Sequence, residues 1–427
     1  MRGFLVAMLV VLHVAPAGAQ GLPRARPRDV GLDSARLARI APMLHRAVER
    51  GEISGIVTLV ARHGRIAAVD SAGFLDLGRR TPIGSATLFR IASMSKPITS
   101  VAAMSLVEEG RLRLADPVAR YIPAFADMKV ADPGTGASGR GAPVPARRPI
   151  TIFDLLTHRS GLTYGFLDEG PVGDAYRAAG ISDGLPLRDE AVGANVDRLA
   201  ALPLVAQPGA RFQYGLSTDV LGRVIEIVSG RSLADFLQER LFDPLGMDDT
   251  GFYVEEDQLE RLATPYAWDR KGLRPMRPRE QLGNLLLAGD GYPGSRRYFS
   301  GGSGLVSTVG DYARFLQMML NGGELDGVRI LGPKTVELIV ANALEDVEHP
   351  LGPGAGFGLG FMVTTELGPS AEPGSVGTLS WSGIYGTMFW ADPAEQLIGI
   401  TMLQRFPTAG LTLGDSFRAI AYGAVID

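Results

Sequence analysis

Ser93 and Lys96 stand three residues apart in Leu88-Phe-Arg-Ile-Ala-Ser-Met-Ser-Lys-Pro97, and theirs is the only Ser-x-x-Lys in the chain. At the start of a helix, positions i and i+3 share one face, so this spacing sets an ammonium beside a hydroxyl. The same helix start aims backbone N–H groups and the positive end of the dipole at negative charge developing there. A lysine that is desolvated releases its proton more readily and can act as base or relay for a serine nucleophile. Pro97 fits, because the first helical turn can spare backbone donors. Taken alone, the four residues equally describe a capping serine beside a surface lysine.

Other chemistry-bearing residues are few. The chain has no cysteine, which excludes disulfides, a thiol nucleophile and a lipidated cysteine. Its five histidines are His13, His45, His63, His158 and His349, with no HExxH or His-x-His spacing. No metal and no cofactor is expected. Gly180-Ile-Ser-Asp-Gly184 is a literal G-x-S-x-G. A lipase-type elbow needs a buried strand before it and a helix after it, whereas Tyr176-Arg-Ala-Ala precedes and Leu185-Pro186 follows, which suits a loop.

The text around Ser93 resembles the serine β-lactamase and penicillin-binding superfamily, and within it the class C β-lactamases and the family VIII carboxylesterases. The resemblance rests on Leu88 to Lys96, on Gly110-Arg-Leu-Arg-Leu-Ala-Asp-Pro-Val with Tyr121-Ile-Pro, and on Ile152-Phe-Asp-Leu-Leu-Thr-His-Arg-Ser-Gly-Leu162. It continues through Pro208-Gly-Ala-Arg-Phe-Gln-Tyr-Gly-Leu-Ser-Thr-Asp-Val-Leu-Gly222, Gly301-Gly-Ser-Gly-Leu-Val-Ser-Thr and Trp381 to Pro393, so it spans roughly residues 30 to 425.

The resemblance implies roles. Tyr214 takes the place of the family's second catalytic element. A phenol titrates near 10 in isolation, so it needs a neighbouring cation, Lys96 above all, to serve as base. Leu216 stands where β-lactamases and peptidases carry an asparagine. Trp381-Ser382-Gly383-Ile384 stands where they carry Lys-Thr-Gly, and looks like the Trp-Gly-Gly variant of the esterases. Trp381, Ser382 and Gly383 are thus the expected substrate-binding residues. Without a lysine to pair with a carboxylate, the site is biased towards neutral substrates. The backbone N–H groups of Ser93 and Ile384 are the implied oxyanion hole. His158 falls in a family segment where histidine is structural. The implied activity is hydrolysis of carboxylic esters through an acyl-enzyme on Ser93. A β-lactamase, a D-Ala-D-Ala carboxypeptidase, an acyltransferase and a non-catalytic penicillin-recognition module are the alternatives.

Several elements must position these groups. Leu37, Ile40, Leu44 and Val48 lie at helical spacing within Asp33 to Arg50. Ile56 to Arg62, the turn His63-Gly64, and Ile66 to Val69 read as a β-hairpin. A helix from near Ser93 to Glu109 stops at Gly110. The pattern to about residue 295 is mainly helical, with Leu221 to Val228 and Ser232 to Leu241 as capped helices. Met128 to Arg148, rich in Gly, Pro, Ala and Arg, reads as a mobile excursion. Thr378 to Trp381, Gly386 to Trp390 and Leu397 to Met402 read as strands, and Leu411 to Val425 as a closing helix. The fold class is therefore α+β, an α/β sandwich. An antiparallel sheet, built from both chain ends and flanked by helices, receives an inserted helical domain. The expected units are 1–19 as signal peptide, 25–90 with 296–427 as the sheet domain, and 91–295 as the mainly helical domain.

Composition agrees with a large folded core, and the length is enough for two or three structural units. The chain has 427 residues, 46% hydrophobic, with 55 glycines and 28 prolines scattered without period. A formal net charge of −4 and the lack of a basic stripe argue against nucleic acid. Arg2, the apolar run Phe4 to Val14 and Ala17-Gly18-Ala19 read as a cleavable bacterial-type secretory signal, too short for a membrane span. The expected location is periplasmic or secreted, without stable membrane insertion after signal removal. The expected partner is a small ester or β-lactam-like molecule.

Overall fold

A computed structural model describes residues 21–132, 141–186, 188–289 and 293–427. The signal segment 1–19 lies outside the described residues, as does part of the Met128 to Arg148 excursion. At the excursion's base, Lys129–Val130 pairs antiparallel with Val144–Pro145.

The sheet has eight antiparallel strands: β1 (Gly55–Arg62), β2 (Arg65–Asp76), β3 (Thr81–Pro82), β4 (Ala355–Phe357), β5 (Met362–Thr364), β6 (Leu379–Ser382), β7 (Met388–Asp392) and β8 (Leu397–Leu403). Their order is β4-β5-β6-β7-β8-β1-β2-β3, so the two chain ends meet where β8 pairs with β1, Ile56 opposite Leu403. Every residue of β1 is buried. Its side chains alternate between two cores, as the period of two requires. Val57, Leu59 and Ala61 enter the larger core, and Ile56 and Val60 the smaller one.

The smaller core is closed by α1 (Ile40–Glu49) and, at the C-terminus, by Leu413–Gly423. One continuous helix was expected over Asp33 to Arg50. Instead Ser34–Leu37 forms a separate turn capped by Asp33, and α1 restarts at Ile40. Pro42 accounts for the break. It lacks an N–H and its ring excludes the carbonyl four residues back, so it belongs in a first turn. Trp390 of β7 lies fully buried against Phe417, with ring centroids 5.0 Å apart. Opposite it on β8 sits Gly399, where a Cβ would come 2.1 Å from Trp390 Cζ2.

The larger core lies on the other face. It holds α2 (Ser95–Glu108), α3 (Ser217–Ser229) and α4 (Val309–Leu320). From Ser95 to Leu106, α2 is buried all round, which marks a central helix and not a surface one. Besides Lys129–Val130 and Val144–Pro145, the described residues of the region 91–295 form strands at Tyr266–Asp269, Gly272–Pro275, Arg279–Leu282 and Leu285–Ala288. That stretch departs from the mainly helical pattern. Gly283, in the turn of the second hairpin, and Gly272, which follows the Arg270-Lys271 turn of the first, both lie in the left-handed region. Among the described residues, no helix is long and apolar enough to cross a membrane.

Candidate active site

The nucleophile candidate sits in the turn that feeds α2. Ala92–Met94 is a single 3₁₀ turn with Ala92 at φ +44°, a left-handed conformation costly for a residue with a Cβ. This turn leaves Ser93 half-buried at the head of a buried helix. Lys96, in the first turn of α2, is 1% exposed and donates to Ser93 Oγ at 3.1 Å and to Gly302 O at 2.8 Å. The surface-lysine reading of Ser-x-x-Lys is thereby excluded.

Gly301 to Leu305 runs as a strap along α2. Thr99 Oγ1 donates to Gly301 O (2.8 Å), Leu305 N–H to Ser95 Oγ (3.1 Å), and Ile91 N–H to Leu305 O (3.0 Å). These bonds hold the strap, and so fix the carbonyl that receives Lys96.

Tyr214 lies in the loop leading to α3. Lys96 Nζ is 4.6 Å from its ring centroid, a cation–π contact. Its hydroxyl hydrogen-bonds neither Ser93 nor Lys96. The ring is packed by His158 (4.9 Å), Tyr164 (5.4 Å) and Trp381 (5.4 Å). Burial, and then the Lys96 charge, holds His158 well below its ordinary pKa, so its imidazole stays neutral. It packs among Phe212, Tyr214 and Phe357. Leu216 is fully buried in the larger core and its carbonyl accepts from Asp219 and Val220 at the start of α3.

β6 brings the fourth group. Trp381 packs on Tyr214 and on Phe357 (5.3 Å), and its Nε1 is buried without a partner among the described residues. Ser382 is exposed, and Gly383 is buried with its N–H on Thr387 O (2.7 Å). Thr387 Oγ1 donates to Ile91 O (3.3 Å), which ties this hairpin to the nucleophile's turn. Ile384 packs with Ala92 in one apolar cluster. The N–H groups of Ser93 and Ile384 have no hydrogen-bond acceptor among the described residues.

Gly180 to Gly184 is a loop, not an elbow. Ser182 is buried, its N–H on Asn195 Oδ1 (2.8 Å) and its Oγ accepting from Gly184 N–H (3.2 Å). Residue-by-residue reading missed the buried polar group behind Lys96. Asp219, on α3, is buried and accepts from Ser300 Oγ at 2.6 Å. Burial pushes its carboxyl up to about 6, against the pull of Ser300 and Lys96. Asp183 is pushed up to about 7 by burial, against the Gly165 N–H bond. The sequence signal for Asp219 was an acid at the head of the apolar run Val220, Leu221, Val224 and Ile225, inside a segment that carries the family resemblance. No cluster of residues suited to a metal occurs among the described residues.

A family model described as Beta-lactamase matches residues 40–422. Protein Rv1367c of Mycobacterium tuberculosis (strain ATCC 25618 / H37Rv) is 39% identical over 383 residues, 87% of this chain and 90% of that one. Esterase EstB of Burkholderia gladioli is 35% identical over 397 residues, 90% of this chain and 93% of that one. Among solved structures, EstCE1, described as a hydrolase with promiscuous acyltransferase activity, aligns with TM-score 0.80 and 32% identity. That alignment covers 91% of this chain and 99% of the other.

Proposed function

Because the chain belongs to the beta-lactamase family, we propose that it is an exported serine hydrolase of neutral carboxylic esters. The observation that carries this reading is the bond of 3.1 Å from the buried Lys96 ammonium to Ser93 Oγ at the head of α2. Ser93 Oγ attacks the ester carbonyl carbon while its proton passes to the Tyr214 oxygen, which reacts as a phenolate paired with the Lys96 ammonium, the two forming the base and proton relay. The tetrahedral oxyanion is received by the free N–H groups of Ser93 and Ile384. As the C–O bond breaks, Tyr214 returns the proton to the departing alcohol. Water then attacks the acyl-enzyme by the reverse route, releasing the acid and restoring Ser93.

The esterase preference rests on β6. Its sequence Leu379-Ser-Trp-Ser382 carries no cation to pair with a substrate carboxylate. The relative named an esterase supports the same choice. Acyl transfer to an alcohol in place of water is the second reading, favoured by the EstCE1 description. Export to the periplasm or medium rests on the N-terminal signal pattern alone.

A panel of acyl nitrophenyl esters with nitrocefin, run on wild type and Ser93→Ala, tests the reading. Ester turnover should exceed nitrocefin turnover and vanish in Ser93→Ala. Full activity in Ser93→Ala would overturn the role of Ser93, and faster nitrocefin turnover would return the reading to β-lactamase.

A further inference from the structure

Behind Lys96, on the side away from Ser93, the protein buries a carboxylate that the ester-cleavage scheme does not use. Asp219 faces Lys96 across one residue, Gly302. The Gly302 carbonyl accepts from Lys96 Nζ at 2.8 Å. Its N–H and Cα face the Asp219 carboxylate, since a Cβ there would stand 2.6 Å from Asp219 Oδ2. Tyr164 borders the same point, its hydroxyl 3.2 Å from that Cβ position, and its ring centroid is 5.4 Å from Lys96 Nζ. Asp219 Oδ1 accepts from Ser300, the residue immediately before the strap, while Oδ2 is buried without a partner among the described residues.

An isolated buried carboxylate is costly unless a nearby cation compensates it. Lys96 from α2 is the cation that acts on Asp219. The other titratable groups around it are Tyr164 and Asp183, on the loops that face α3, and Tyr298, on the segment just before the strap. Arg177 and Arg188 act on Asp183.

We infer that Asp219 is a positioning residue for Lys96: as an anion behind Gly302 it supplies the buried counter-charge and, through Ser300, anchors the strap that holds Lys96 on Ser93. The inference rests on the proposed role of Ser93 and Lys96. Protonation of Asp219 removes the counter-charge, so activity falls with acid as this carboxyl titrates. The elevation of its pKa to about 6 brings that loss into a measurable range.

Two variants separate charge from hydrogen bonding. Asp219→Asn keeps an acceptor for Ser300 and removes the charge. Ser300→Ala keeps the charge and removes a bond that favours the ionised form. With a short-chain nitrophenyl ester, Asp219→Asn should lose about tenfold or more in kcat with little change in KM, less than the loss expected for removing a catalytic base itself. Its kcat/KM should be flat across the acid limb seen in wild type. Ser300→Ala should keep that limb but move it to higher pH.

Thermal unfolding of each variant confirms that it is folded. A folded Asp219→Asn with the wild-type profile overturns the inference, as does a folded Ser300→Ala whose acid limb stays in place. The second result decides even where Asp219→Asn does not fold. Fluorophosphonate labelling of wild type, absent in Ser93→Ala, keeps the parent reading separate. If labelling ignores Ser93, the site assignment fails. If it depends on Ser93 while the variants behave as wild type, only the role of Asp219 fails.

Discussion

The ring of Tyr214 and its hydroxyl have separate duties. His158, Tyr164 and Trp381 pack against the ring and Lys96 lies over its face, and none of these contacts uses the hydroxyl. Tyr214→Phe should therefore keep its thermal midpoint while kcat falls by about 10²-fold or more, the range for removing a general acid or base. A large drop in midpoint with an unchanged kcat would make Tyr214 a packing residue instead. Ser93 and Lys96 were legible because their relation is local, three residues apart on one helical turn. Asp219 was not. Its meaning comes from Gly302 and Ser300, more than eighty residues away, and from burial that an acid in an apolar run only suggests. His158 and Leu216 illustrate the reverse case. Both lie in segments that matched the family, and the structure places both among packed side chains.

Elements were legible where a periodic run is long enough to fix its partner. β1, β7 and β8 alternate cleanly between two cores, and their hydrophobic text was read as strand from both chain ends. β4 and β5 have three residues each, and β3 only two, too short to show a period of two; they form because neighbours offer an edge. The hairpin strands between Tyr266 and Ala288, four residues each, escaped notice as well. In the sheet, the pairing of Trp390 with Gly399 is the most demanding fit. The indole is fully buried and cannot move away from an added methyl. Gly399→Ala should then cost about 1–3 kcal/mol in chemical denaturation, the usual penalty for overpacking a filled core. KM for an ester should not change, because the clash lies on the face of the sheet that holds α1. A neutral Gly399→Ala would show that the smaller core has slack there.

At the scale of the whole molecule, the buried acids make stability depend on pH in an unusual sense. Burial raises Asp183 to about 7, and Asp219 and Asp311 to about 6. In the unfolded chain these carboxyls titrate near 4. The folded state thus retains protons that the unfolded state has released. Each such group contributes stability that is fully present below the unfolded pKa and is lost as pH rises through the folded one. His158 acts in the opposite direction. Its folded pKa is depressed, so its contribution is present above about 6.5 and declines as pH falls below that. Glu280, lowered to about 2 by its Arg274 partner, changes only in stronger acid and does not enter this window. Three carboxyls outweigh one imidazole, so the melting temperature should be higher near pH 5.5 than near pH 7.5. Asp183→Asn should narrow the difference, because it removes the carboxyl that titrates closest to neutrality. A melting temperature that fell on acidification over this interval would mean that these carboxyls are ionised without penalty in the folded protein. The buried charge behind Lys96 would then need a compensation other than the lysine itself.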